Sequence, residues 1–245
     1  MRRPIASLVL VALLGACDGE QPAAPPEASE SAVASAAATP EPDLSACPET
    51  EPAEFRERTK PVPVPPVFER LAKSDMDHLA FTTANGSTIC VDTTWIESID
   101  DAELSEDGRF ASFTWLGYEA FGHVVVDRSG QGQVVDTGNA PLPSPEGQRL
   151  ASVDLSESGF GSLNALAVWD VRPAGLRPVA AVSEGFPAGD WRIEGWQGES
   201  CVRLSVVPID RQPEDWRDMD KAPRDPWFAA EANGWKPAAG SCPRA

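Results

Sequence analysis

Leu79-Ala80-Phe81-Thr82 and Thr88-Ile89-Cys90-Val91, set on either side of Asn85-Gly86, decide the fold class of this 245-residue chain. Asn-Gly accepts positive φ at little steric cost, which is what a tight hairpin turn requires. Working outward, the same grammar continues. Apolar runs at residues 110–115, 124–126, 134–135, 150–155, 163–171, 179–182, 191–196 and 201–207 alternate with turn residues. That spacing predicts roughly ten short strands, with no helical period between them. Residues 67–72 are expected to form one helical turn ahead of the β region. The expected fold is all-β, an antiparallel meander that is either β-sandwich-like or incomplete propeller-like.

An internal echo sharpens this reading. Ser105-Glu106-Asp107-Gly108-Arg109-Phe110-Ala111-Ser112 is answered by Ser144-Pro145-Glu146-Gly147-Gln148-Arg149-Leu150-Ala151-Ser152. Phe121-Gly122 and Val124-Val125-Val126-Asp127 are answered by Phe160-Gly161 and Ala167-Val168-Trp169-Asp170. A third, weaker unit starts at Gly189-Asp190-Trp191. The repeat, of about 40 residues, is the length of one four-stranded propeller blade. Physically, Ser-x-x-Gly is a tight turn feeding a buried strand, and the later Asp ends a strand and satisfies loop amides. The second unit, continued by Val171, resembles the WD40-like repeat of TolB-type periplasmic propellers, and the resemblance implies a binding platform. The β region has room for three or four such units, near or below the number that closes a ring. An incomplete ring leaves edges that need cover.

The N-terminus carries an address. Arg2 and Arg3 precede an apolar run over 5–14 and the sequence Leu14-Gly15-Ala16-Cys17. This is a secretory signal layout, too short for a spanning helix. Leu-Gly-Ala-Cys resembles the lipobox of bacterial lipoproteins. That resemblance implies a signal peptide at 1–16, cleavage before Cys17, a diacylglyceryl group on its sulfur and acylation of the new amine. Two or more chains anchor stably where one does not. Asp18 resembles the inner-membrane retention signal of enteric bacteria, a rule that does not hold in all bacteria, so inner and outer membrane both stay open. Residues 17–55 contain nine acidic residues and no basic one among many Ala, Pro and Ser. Such a segment reads as a disordered tether. Lys60-Pro61-Val62-Pro63-Val64-Pro65-Pro66 is expected to be an extended strap, its valines packing on the domain. Residues 56–245 then form a single disulfide-linked domain facing the periplasm.

Loss of Arg2 and Arg3 on cleavage takes the formal net charge from -18 to -20. A chain this acidic is repelled by nucleic acid, which excludes it as a partner. Besides Cys17 there are Cys47, Cys90, Cys201 and Cys242. An even number in an exported chain predicts two disulfides, with three connectivities open. Cys90 with Cys201 is favoured because both lie in strand-like segments, leaving Cys47 with Cys242 to tie the domain's ends together. Without a Cys-x-x-Cys pair, and with only His78 and His123, no zinc site or other cofactor is expected.

Beyond residue 210 the sequence becomes an irregular Trp/Pro-rich tail, in which Trp216, Trp227 and Trp235 are expected to anchor the chain to the sheet. Asp215, Asp218 and Asp220 offer carboxylates suited to calcium, but lack the glycine and glutamate of an EF-hand loop, and clustering by chance suffices in so acidic a chain. Asp75-Met76-Asp77-His78 reads as an exposed loop, and His123 as a satisfied structural histidine. No Gly-x-Ser-x-Gly, Ser-x-x-Lys with Lys-Thr-Gly, or His-Glu-x-x-His appears, so no catalytic residue is assigned. The expected role is a membrane-anchored binding or scaffolding module for other envelope proteins. The alternative is a carboxylate-based hydrolase of envelope glycans. An exposed Trp-bearing patch would favour the first, and a cleft holding two carboxylates of shifted pKa the second.

Overall fold

The computed structural model describes residues 40–51, 57–155 and 161–244. The signal segment, Cys17 and the tether as far as residue 39 lie outside the described residues. Among the described residues fifteen strands form four separate antiparallel sheets, each a meander of consecutive strands. Sheet 1 comprises β1 (Ala72–Ser74), β2 (His78–Thr82) and β3 (Thr88–Asp92). Sheet 2 comprises β4 (Ser98–Leu104), β5 (Phe110–Gly117), β6 (Ala120–Asp127) and β7 (Gln133–Asp136). Sheet 3 comprises β8 (Leu142–Pro143), β9 (Arg149–Asp154), β10 (Ala165–Arg172) and β11 (Gly175–Val182). Sheet 4 comprises β12 (Gly189–Gln197), β13 (Cys201–Pro208), β14 (Asp225–Ala230) and β15 (Pro237–Ala239). The all-β antiparallel meander is as expected. The short helical turn falls at Pro66–Phe68, and 72–74 is already strand.

The sheets pack in chain order. Ala111, Phe113, Val124 and Val126 of sheet 2 meet Leu79, Phe81 and Val91 of sheet 1. Phe110 and Val125, on the opposite face of the same strands, meet Leu150, Ala167 and Trp169 of sheet 3. Ala151, Val153, Leu166 and Val168 then meet Trp191, Val202, Leu204 and Val206 of sheet 4. Successive side chains on a strand point to opposite faces, so a middle strand must be apolar at every position. That is why Val124-Val125-Val126 and 165–169 read as unbroken apolar runs. Among the described residues no buried apolar cluster joins sheet 4 back to sheet 1, so the stack is open.

The two ends of the stack are covered by the chain's own terminal segments. Thr82 donates its hydroxyl to the Pro40 carbonyl, the Asp43 amide donates to Thr88 Oγ1, and Cys47 is bonded to Cys90. At the other end Cys242 is bonded to Cys201, and the Pro243 carbonyl accepts from Gln197 Nε2. The favoured pairing, Cys90 with Cys201 and Cys47 with Cys242, is therefore corrected. Cys90 and Cys201 belong to sheets 1 and 4, separated by two whole sheets, and each pairs with the segment covering its own sheet. Residues 40–48, which the sequence reading places in the tether, lie on sheet 1.

The repeat is visible as hydrogen bonding. In both units the glycine amide donates to the serine carbonyl, at 2.8 Å for Gly108 and 2.9 Å for Gly147. Both glycines hold positive φ, 69° and 67°. The amide five residues after each serine donates to its hydroxyl, Phe110 to Ser105 at 2.9 Å and Arg149 to Ser144 at 3.0 Å. Guanidinium groups at this end bridge consecutive sheets. Arg128 Nε donates to the Thr82 carbonyl, Arg109 to that of Arg172, and Arg149 to that of Glu199.

Candidate functional site

The face of sheet 2 turned toward sheet 3 is a ladder of cross-strand pairs: Phe110 with Asp127, Ser112 with Val125, Thr114 with His123, and Leu116 with Phe121. At its first rung Asp127 is fully buried and takes two bonds from Arg109, at 2.9 and 2.7 Å. Its carboxyl is raised by burial, but the bonds from Arg109 and the Ser129 amide outweigh this and hold it below the usual carboxylate range. The middle rungs carry Ser112, Thr114 and His123 where an intersheet face ordinarily carries apolar groups.

Over these rungs lies a groove of about 660 Å³, walled by Phe110, Pro141, Pro143 and Leu150, with Asp101 and Glu103 of β4 also lining it. The register of β4 shifts between Asp100 and Glu103, and Asp101 holds φ 49°. A bulge of this kind re-aims side chains, and aspartate is among the few residues that tolerate the left-handed region. His123 is 4% exposed; its Nδ1 lies 3.1 Å from Thr114 Oγ1, and its buried Nε2 has no hydrogen-bond partner. Burial lowers its pKa, against the opposing pull of Glu103, Asp136 and Asp101, so the ring is neutral at neutral pH. The expectation of a fully satisfied histidine is corrected on this point.

The last rung opens onto the tip of the β5–β6 hairpin. Leu116, Tyr118 and Phe121 are exposed there, as is Trp95. The Trp95 carbonyl lies so close to Gly117 that a Cβ at that position would sit 2.2 Å from its oxygen. Hairpin and Trp95 segment therefore adjoin, and a side chain at 117 would part them.

The remaining residues singled out in the sequence disperse. His78 is buried in β2, with Nε2 2.9 Å from the Pro48 carbonyl and Nδ1 3.3 Å from Asp75. The exposed-loop reading of 75–78 thus fails at His78, which holds the N-terminal cover in place. Asp215 accepts from the Arg217 amide, Asp218 pairs with Lys221 and Asp220 with Arg192. Those three carboxylates turn to separate partners, and among the described residues no group of three or more His, Cys, Asp or Glu is placed to hold a metal ion. Trp227 and Trp235 pack into the core as expected, whereas Trp216 is 76% exposed and anchors nothing. The strap behaves as read, with Val62 fully buried and Val64 packed beside it. Asp154 is the one described carboxyl with a raised pKa; burial is the main cause, aided by Asp136. A Cβ on Gly138 or Gly161 would fall within about 2.6 Å of it, so glycine backbone packs closely against it.

No protein-family model matches this chain, and no curated protein does.

Proposed function

We propose that this chain is a lipid-anchored protein of the bacterial cell envelope that binds another envelope protein through the tip of the β5–β6 hairpin. The observation carrying this reading is the exposed group of Trp95, Leu116, Tyr118 and Phe121 on adjoining segments. Aromatic side chains supply large, rigid contact area and dominate binding energy at protein interfaces. A cluster of exposed apolar residues on one tip is the kind of surface that marks such sites. The glycan-hydrolase alternative draws less support. It needs a protonated acid facing an ionised carboxylate across an open cleft, and the carboxyl held protonated most readily, Asp154, is buried with glycine backbone packed closely against it.

The test is site-specific photo-crosslinking in living cells from position 118, with position 106, in the β4–β5 turn, as the control. The expected result is a discrete adduct from 118 only, lost with Cys17→Ala and with Trp95→Asp. Equal crosslinking from both positions, or none from 118, overturns the reading.

A further inference from the structure

The intersheet groove carries a second inference, independent of the hairpin tip. Sheets 2 and 3 meet through apolar residues except where Ser112, Thr114 and His123 interrupt them, and the groove lies at that interruption. Polar groups removed from water are almost always paired, and a buried nitrogen left without a partner calls for an explanation. The His123 Nε2 is such an atom. Ionised groups among the residues lining the groove are Asp101 and Glu103 alone, with no lysine or arginine. A volume of about 660 Å³ falls within the range of small-molecule sites, which are mostly apolar with a few placed polar groups.

We propose that the groove between sheets 2 and 3 binds a small organic ammonium ion, its charge held by Asp101 and Glu103, its N–H donated to His123 Nε2, and its apolar body packed between Phe110, Pro141 and Leu150. In the tautomer whose Nδ1–H donates to Thr114, the neutral imidazole presents a lone pair at Nε2, the acceptor an ammonium requires. An anion meets two carboxylates and no cation here, and a neutral alcohol gains nothing from them. The β4 bulge supplies the geometry, because it places Asp101 and Glu103 in the lining of the same groove as His123.

With only two histidines in the chain, imidazole ¹⁵N resonances report the site directly. The experiment titrates the full-length chain with 2-phenylethylamine, and with 2-phenylethanol and phenylacetate as neutral and anionic counterparts of the same body. The expected result is saturable binding of the amine at least about tenfold tighter than either counterpart, with the His123 Nε2 resonance shifted and His78 unmoved. Asp101→Asn with Glu103→Gln, at exposed positions that leave the fold intact by circular dichroism, should weaken the amine about tenfold and leave the alcohol unchanged. Nα-acetyl-lysine methylamide binding more tightly than 2-phenylethylamine would assign the ammonium to a protein lysine; weaker binding assigns it to a free amine. Equal affinity for amine and alcohol, a shift at His78 instead, or indifference to the double variant overturns the proposal.

Discussion

Replacing Cys47 and Cys90 together by alanine removes the bridge that fastens residues 40–48 to sheet 1 and leaves the second bridge untouched. The two bridges span 43 and 41 residues. In the chain-entropy account a loop of that size constrains the unfolded chain by about 4 kcal/mol. For a domain of this length each kcal/mol moves Tm by about 2–4 °C, so each pair removed should lower Tm by roughly 8–16 °C. Sheets 1 and 4 lie at opposite ends of the stack, so the losses should add. Their sum, about 8 kcal/mol, is comparable with the whole stability of an ordinary domain. The quadruple variant should therefore fail to accumulate as folded protein. Differential scanning calorimetry under non-reducing conditions gives the Tm values, and thiol titration of the unfolded variants, blanked against the parent protein, gives the pairing. Cys47→Ala with Cys90→Ala should add no free thiol. Two added thiols would mean that both bridges had been cut, and a Tm loss under about 3 °C would mean that the cover adds little to the stack; either result refutes the reasoning.

Arg109→Ala strips Asp127 of its paired bonds and leaves a fully buried carboxylate, which should cost about 3–5 kcal/mol in urea denaturation. Because the folded pKa of Asp127 is depressed, its contribution is present above the unfolded carboxylate value and lost as pH falls through the folded one. The parent protein should therefore lose stability below about pH 4, and Arg109→Ala should flatten that acid limb. Asp154→Asn should act with the opposite sign. The raised folded pKa means that charging opposes folding once pH rises through it, so the variant should be more stable than the parent at pH 7, and this advantage should vanish at pH 3. Ser144→Ala should cost more than Ser105→Ala, each about 1 kcal/mol or somewhat above by thermal denaturation, since Ser144 is buried and donates to Glu199 of the next sheet, whereas the half-buried Ser105 donates to Asp107 of its own turn. Gly117→Ala should part the hairpin from Trp95, lowering Tm and abolishing the crosslink from position 118.

What could be read beforehand follows the physics of each element. Strands buried on both faces announce themselves as near-continuous apolar runs, and β2, β6, β9, β10 and β13 were legible for that reason, whereas β5 was legible by its alternation. β4 was not, because Ser98-Ile99-Asp100-Asp101-Ala102-Glu103-Leu104 is an edge strand whose carboxylates face solvent and whose alternation is broken by a bulge. That strand contributes both acidic groups of the groove, so the site was hidden with it. β14 contains Pro226 and β15 begins with Pro237, and proline demotes a strand in any sequence reading. Both belong to sheet 4, and the tail regarded as irregular supplies half of that sheet. The hairpin tip did leave a signal: Gly117-Tyr118-Glu119 sits between two apolar runs and holds the only tyrosine. Cysteine pairing was not legible, since spacing carries no information about which sheet each residue faces.

The disulfides become intelligible once the stack is seen to be open. A closed ring buries the outer face of its last sheet against its first and needs no cover there. An open run of four sheets leaves two outer faces, and strands next to water with apolar or unpaired groups invite association with other chains. Here each outer face receives a short segment too small to hold itself in place by burial. Pro40 to Pro48 contributes three hydrogen bonds and one ion pair, Glu41 with Lys73, to sheet 1. Contacts of that number offset only a fraction of the entropy of ordering the segment, about 1–2 kcal/mol per residue for the backbone alone. A covalent bond confines the segment near its sheet in the unfolded chain as well, which is the term that noncovalent contacts cannot supply. Local pairing, Cys47 with Cys90 and Cys201 with Cys242, follows directly, because each cover must be fastened to the sheet it lies on and the two sheets never meet.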